Sequence, residues 1–133
     1  MNARPSLPAA VILLAALLLP ALLPAPARGE TGVKRNVLYL NSYHTGYLWS
    51  DHIQEGIRQV LAASGLPIDL QIEYMDAKKY PYSRMRQTLV NLFREKFHDK
   101  RFDVIIVSDD DALRFMLEVH DSLFPGVPVV FCG

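Results

Sequence analysis

The stretch Asn41-Ser42-Tyr43-His44-Thr45-Gly46-Tyr47-Leu48-Trp49-Ser50 gathers hydroxyls, an imidazole and three large aromatic rings within ten residues. It follows the apolar run Val37-Leu38-Tyr39-Leu40 and precedes apolar residues at helical spacing. Tyr43, Tyr47 and Trp49 have flat bodies and polar tips, which suit stacking on a planar or apolar ligand and orienting it. Ser42 can donate to a ligand oxygen, and His44 can bind ligand or hold the loop through a backbone hydrogen bond. The same rings would serve equally to pack over the end of a sheet, so both uses stay open at this point. Comparable polar residues close the other apolar runs: Asp76, then Ser108-Asp109-Asp110-Asp111, then Cys132-Gly133.

Motifs of catalysis are missing. Only Gly46 follows the first run, so no glycine-rich phosphate cradle exists there. Neither a G-x-S-x-G elbow nor an H-E-x-x-H pair is present, and His44, His52, His98 and His120 have no ligand spacing. Asp109-Asp110-Asp111 lacks the Gly and Glu of a calcium loop and reads as helix capping with charge at the positive end of a helix dipole. Ser42 with His44 is the one nucleophile–base pair near the strand ends. Residues two apart rarely make that geometry, and no third group orients them. The expectation is no catalytic residue, no metal and no cofactor.

These residues need elements to hold them. Val37–Leu40 reads as a buried strand. Ser50 or Asp51 can cap a helix with Ile53, Ile57, Val60 and Leu61 on its apolar face, ended by Gly65 and Pro67. Ile68, Leu70, Ile72 and Tyr74 alternate with polar residues, the pattern of a half-buried strand near a sheet edge. Ser83 can cap a second helix with the stripe Met85, Leu89, Leu92, Phe93 and Phe97. Asp103–Val107 is a continuous apolar strand, as a central parallel strand requires. Asp110 or Asp111 can cap a third helix with Leu113, Met116, Leu117 and Val119 apolar, and Val127–Phe131 is a fourth strand. Strands separated by single helices predict an α/β fold with a parallel sheet and right-handed crossovers. In such a sheet, ligands bind outside the C-terminal strand ends, where the polar residues above fall.

Composition sets the outer bounds. At 133 residues the chain has room for one domain, and its 50% apolar and 21% charged residues argue against disorder. Fourteen basic residues balance fourteen acidic ones, so the footprint of a nucleic-acid binder is absent. A single cysteine, Cys132, excludes an internal disulfide, a thiolate zinc cluster and a lipidated cysteine after the leader. The first residues differ from the rest. Arg4 precedes the apolar run Ala9–Leu23, interrupted by Pro20, and Ala25-Pro26-Ala27 supplies small residues at a cleavage position. That order is a secretory signal. Leu7–Ala27 is uncharged throughout, so residues 1–27 are expected as a signal peptide or signal anchor, followed by a polar leader over 28–36.

Val37–His44, with Gly46-Tyr47 and Trp49-Ser50-Asp51, resembles the opening of ABC-transporter substrate-binding-protein-like sensor domains, found outside the membrane in bacterial sensor histidine kinases and diguanylate cyclases. Glu73-Tyr74-Met75-Asp76, Phe102–Ile106, Ser108-Asp109-Asp110 and Phe124–Gly133 match the same pattern in order. Thr45 and Leu48 stand where relatives carry prolines or other turn formers. The resemblance implies a type I periplasmic-binding-protein-like fold, two α/β lobes closing on a small molecule. Residues 37–133 would be its N-terminal lobe, ending on the strand before Gly133, with the second lobe missing. It also implies that Ser42, Tyr43, His44, Trp49, Asp76, Ser108 and Asp109 face the ligand. The partners expected are a small-molecule ligand, the chain's own second lobe and a membrane, reached through the N-terminal segment or a later span. A soluble substrate-binding component of an ABC importer is the alternative, and an exported hydrolase is a more distant one.

Overall fold

The computed structural model describes residues 32–133, so the signal segment over 1–27 and the first part of the leader lie outside the described residues. Four strands and three helices alternate: β1 Arg35–Asn41, α1 Leu48–Ala63, β2 Ile68–Tyr74, α2 Tyr82–Lys96, β3 Val104–Ser108, α3 Asp109–Leu123 and β4 Val129–Cys132. The sheet is parallel throughout, in the order β2-β1-β3-β4. β1 begins at Arg35, two residues inside the expected polar leader, because Arg35 pairs with Ile68 and its amide reaches the Pro67 carbonyl.

The two faces of the sheet differ. Leu38, Leu40, Ile105 and Val107 point toward α2 and α3 and join Leu89, Phe93, Ala112, Phe115, Met116 and Val119 in one core. Phe93 packs edge-to-face on Phe97 and Phe115 at 5.2 and 5.4 Å, and Phe97 does the same to Phe102 at 5.1 Å. Such pairs add about 0.5–1.5 kcal/mol each to the burial of their area. The opposite face carries Val37, Tyr39 and Asn41, all buried. Helix α1 is tied there by Asn41 Nδ2–H to Ser50 Oγ and by Tyr74 O–H to Gln54 Oε1 at 2.6 Å. Beyond α1 no described element packs on this face, and Val130 beside Ile106 is 51% exposed.

Helix starts depart from the sequence reading. Ser50 and Asp51 do not cap α1, which begins earlier at Leu48; Ser50 is buried inside it, and Asp51 accepts both its bonds from the Gly46 amide. Ser83 does not cap α2, which starts at Tyr82 after Pro81. Neither Asp110 nor Asp111 caps α3, which starts at Asp109. Val60, Leu92 and Leu117 have the spacing of core residues yet are largely exposed, while Phe115, between the expected positions, is fully buried. Each helix buries a narrower stripe than the sequence offers, because only one layer packs on each side of four short strands.

His120 joins α3 to the lead-in of β4, with Nε2 2.7 Å from the Val127 carbonyl and Nδ1 3.2 Å from Asp121. The carbonyl, then the carboxylate, holds its pKa above the usual imidazole value. A raised folded pKa stabilises the fold fully below the unfolded value of about 6.5 and loses that contribution as pH rises through the folded one. His120→Gln should therefore lower stability more at about pH 5.5 than at about pH 8.5 in denaturant titrations. An equal loss at both values would contradict the assignment.

Candidate functional site

The C-terminal ends of β1 and β3 meet at the point where the chain reverses its direction of strand addition. From β1 the chain runs outward to β2, then crosses back over to β3. Diverging connections leave a crevice at such a point, where open α/β sheets bind ligands.

The floor of the crevice is a buried polar network. Ser42 is fully buried; its hydroxyl donates to the Ser108 carbonyl at 2.7 Å and accepts the Ala112 amide at 2.8 Å. A residue just past β1 thus holds the first turn of α3, where the helix's own N-cap, Ser108, makes no side-chain capping bond. Ser108, also fully buried, shares a 2.8 Å hydrogen bond with Tyr39 Oη. Burial pushes the Tyr39 pKa up to about 12. Asn41 accepts the Tyr43 amide through its side-chain oxygen and donates to Ser50. Ser42 and Ser108, expected to face ligand, are committed to the fold at this end. Their hydroxyls have no exposed surface from which to meet a ligand.

Above this floor the aromatic residues assemble on Tyr43. The Tyr43 ring meets Tyr47 edge-to-face at 4.9 Å and Trp49 at 5.9 Å. Tyr47 and Trp49 are 37% and 42% exposed, whereas Tyr43 is 9% exposed. The His44 ring lies 6.1 Å from Tyr47, and its buried Nδ1 has no partner among the described residues. Gly46, at φ +91°, closes the loop in a conformation that a side chain would strain. Gly133 lies against Trp49 so closely that a Cβ there would come within 3.0 Å of the indole and 3.3 Å of the Asp109 amide.

Two aspartates shape the rim. Asp109, at φ +67°, is the first residue of α3 in a left-handed conformation that costs a non-glycine residue energy. Its carboxylate accepts the Tyr43 hydroxyl at 2.5 Å and the Asp110 amide at 2.6 Å. Burial, followed by Asp109 and the neighbouring charges, raises the Tyr43 pKa and keeps the phenol protonated as donor. Asp76, at φ +54°, starts the turn after β2, where the flanking Met75 and Ala77 amides bond to the Asn41 and Ser42 carbonyls. The Asp76 carboxylate pairs with Lys79 at 3.3 Å. That turn presents Lys78, whose ammonium sits 4.5 Å from the Tyr43 ring centre and 5.7 Å from that of Tyr47.

Of the seven residues expected to face ligand, Tyr43, Trp49 and Asp109 form one contact cluster, His44 borders it through Tyr47, and Asp76 stands beside it holding Lys79. Ser42 and Ser108 lie beneath. Tyr47 and Lys78 also belong to the cluster, although neither is among the residues the resemblance implies as facing the ligand. Tyr47 had a readable signal, sharing the aromatic loop with Tyr43 and Trp49. Lys78 had none, since nothing local tells which ring a long side chain reaches. Two apolar grooves lie elsewhere, one of about 420 Å3 beside Leu113, Leu117, Val127 and Val129, and one of about 310 Å3 beside Leu61, Leu66 and Ile68; a polar one of about 310 Å3 lies beside His98, Asp99, Lys100 and Arg101. Among the described residues no group of three or more His, Cys, Asp or Glu side chains is arranged to hold a metal ion, and no helix is long and apolar enough to cross a membrane.

No protein-family model, curated protein or solved structure matches the chain.

Ser42→Ala removes the α3 cap and leaves the buried Ala112 amide without its side-chain partner. It should cost about 1–3 kcal/mol in chemical denaturation. Ser42→Thr, which keeps the hydroxyl, should lose less. Unchanged stability in Ser42→Ala would return that hydroxyl to the list of groups free for ligand.

Proposed function

We propose that the chain is a ligand-recognition lobe of a type I periplasmic-binding-protein-like domain, acting outside the cytoplasm in a membrane-bound bacterial signal-transduction sensor. One observation carries this reading. Tyr47 and Trp49 stand exposed around Tyr43 at the topological switch point of a parallel sheet, over a polar floor that is already satisfied. Large aromatic surface held open on a rigid base favours recognition over packing, since packing would have covered it. A second lobe closing on this end would bury those rings together with the ligand. Closure transmits a signal only to the extent that ligand binds the closed state better than the open one.

The sequence supplies the rest of the reading: the signal or anchor pattern over 1–27 and the strand-end motifs shared with substrate-binding-protein-like sensors. A soluble carrier feeding an ABC importer is the second reading, favoured by the cleavable pattern Ala25-Pro26-Ala27. An acyl-transfer enzyme gains no support from the site. Ser42 would have to leave both the Ser108 carbonyl and the Ala112 amide before it could attack a substrate.

Fractionating the native cell and tracking the natural full-length protein separates these readings. Retention in the membrane is expected. Release with the periplasmic contents would contradict the sensor and favour the carrier, and recovery in the cytoplasm would contradict both. Trp49→Ala should weaken binding of whichever metabolite raises the melting temperature of the natural protein by about tenfold. Its own melting temperature should stay unchanged. Unaltered affinity would remove Trp49 from the site.

A further inference from the structure

The described chain has five lysines. Lys34, Lys79, Lys96 and Lys100 each lie within 4 Å of a carboxylate. Lys78 has no such partner among the described residues; its ammonium rests over Tyr43 and Tyr47 instead. Asp76 is paired with Lys79, and Asp111 with Arg114. That leaves Asp109, which holds the Tyr43 hydroxyl, Asp110 beside it at the start of α3, and Asp51, which holds the Gly46 amide, as the carboxylates of this end without a lysine or arginine partner among the described residues. Tyr43 donates its hydroxyl to Asp109, which draws electron density toward the ring. An aromatic face set in a negative field attracts a cation. Carboxylates at the same end would repel an anion.

We propose that the faces of Tyr43 and Tyr47 form a box for an organic ammonium group, which Lys78 fills in the free chain and which an amine-bearing ligand takes over by displacing it. This rests on the recognition reading above and names its ligand class. The displaced Lys78 side chain is long and exposed at the surface, so it moves into water at little cost. An internal occupant lowers apparent affinity by the fraction of time that the box stands empty.

Tetramethylammonium chloride titrated into the natural full-length protein tests this, because Trp49 is the only tryptophan in residues 1–133 and touches Tyr43. Trp49 fluorescence, followed through a Trp49→Phe control that subtracts any other tryptophan, should change saturably. Sodium chloride at equal ionic strength and tert-butanol, the uncharged counterpart in shape, should leave it flat. Lys78→Gln should tighten tetramethylammonium binding about tenfold, the gain from emptying a box occupied roughly nine-tenths of the time. Tyr47→Leu should weaken it roughly threefold. No response in either the natural protein or Lys78→Gln would overturn the proposal, as would equal affinity in the two. A neutral or anionic metabolite that perturbs Trp49 when tetramethylammonium does not would overturn the ammonium box and leave the recognition reading standing. A broad metabolite set that leaves Trp49 untouched would remove both.

Discussion

The hydroxyl of Ser42 spans the seam on which this end of the molecule depends. It lies just past β1, donates to the last carbonyl of β3 and accepts an amide from the first turn of α3. One buried group thereby fixes the spacing of the two central strands and the direction in which α3 leaves the sheet. Around it, Asn41, Ser50, Tyr39 and Ser108 satisfy one another in the interior. Buried polar groups of this kind are costly when unpaired and rigidifying when paired. The network is closed, so the ends of β1 and β3 form a firm platform.

What stands on the platform follows from it. Tyr43 emerges one residue after Ser42, its amide held by Asn41 and its hydroxyl by Asp109. Asp109 adopts a left-handed backbone at the start of a helix, a strained choice that the Ser42 cap and the Tyr43 hydroxyl hold in place. The turn after β2 is pinned to the Asn41 and Ser42 carbonyls, which brings Lys78 over the same ring. Three segments far apart in sequence therefore converge on one phenol. Their outer surfaces, on Tyr47 and Trp49, remain open to solvent.

Much of the fold was legible in the sequence. The unbroken apolar run of β3 marked a strand buried on both faces, and the alternation from Ile68 to Tyr74 marked an edge strand. Both signals arise from side-chain direction along a strand, which is local. Helix starts were less legible, because capping groups were sought beside each helix. The cap of α3 comes from Ser42, 70 residues before the amide it accepts. Exposed Val60, Leu92 and Leu117 show the same limit: periodicity names a candidate face, while the neighbouring layer decides how much of it is covered. In the site, the aromatic loop was visible as composition. The division between buried serines and open rings was not, since a serine at a strand end looks the same whether it bonds a ligand or a distant amide.

In the proposed reading, the Tyr43 platform is a surface for a small molecule. A crystal structure of the natural full-length protein, purified from its own cell and soaked with a mixture of metabolic amines, tests it most directly. The expected result is density for a small molecule against the faces of Tyr43 and Tyr47, with the Lys78 side chain turned into solvent and the Ser42 bridge unchanged. Tyr47 and Trp49 buried under ordered protein, with no space between, would contradict it and make the aromatic cluster a packing surface.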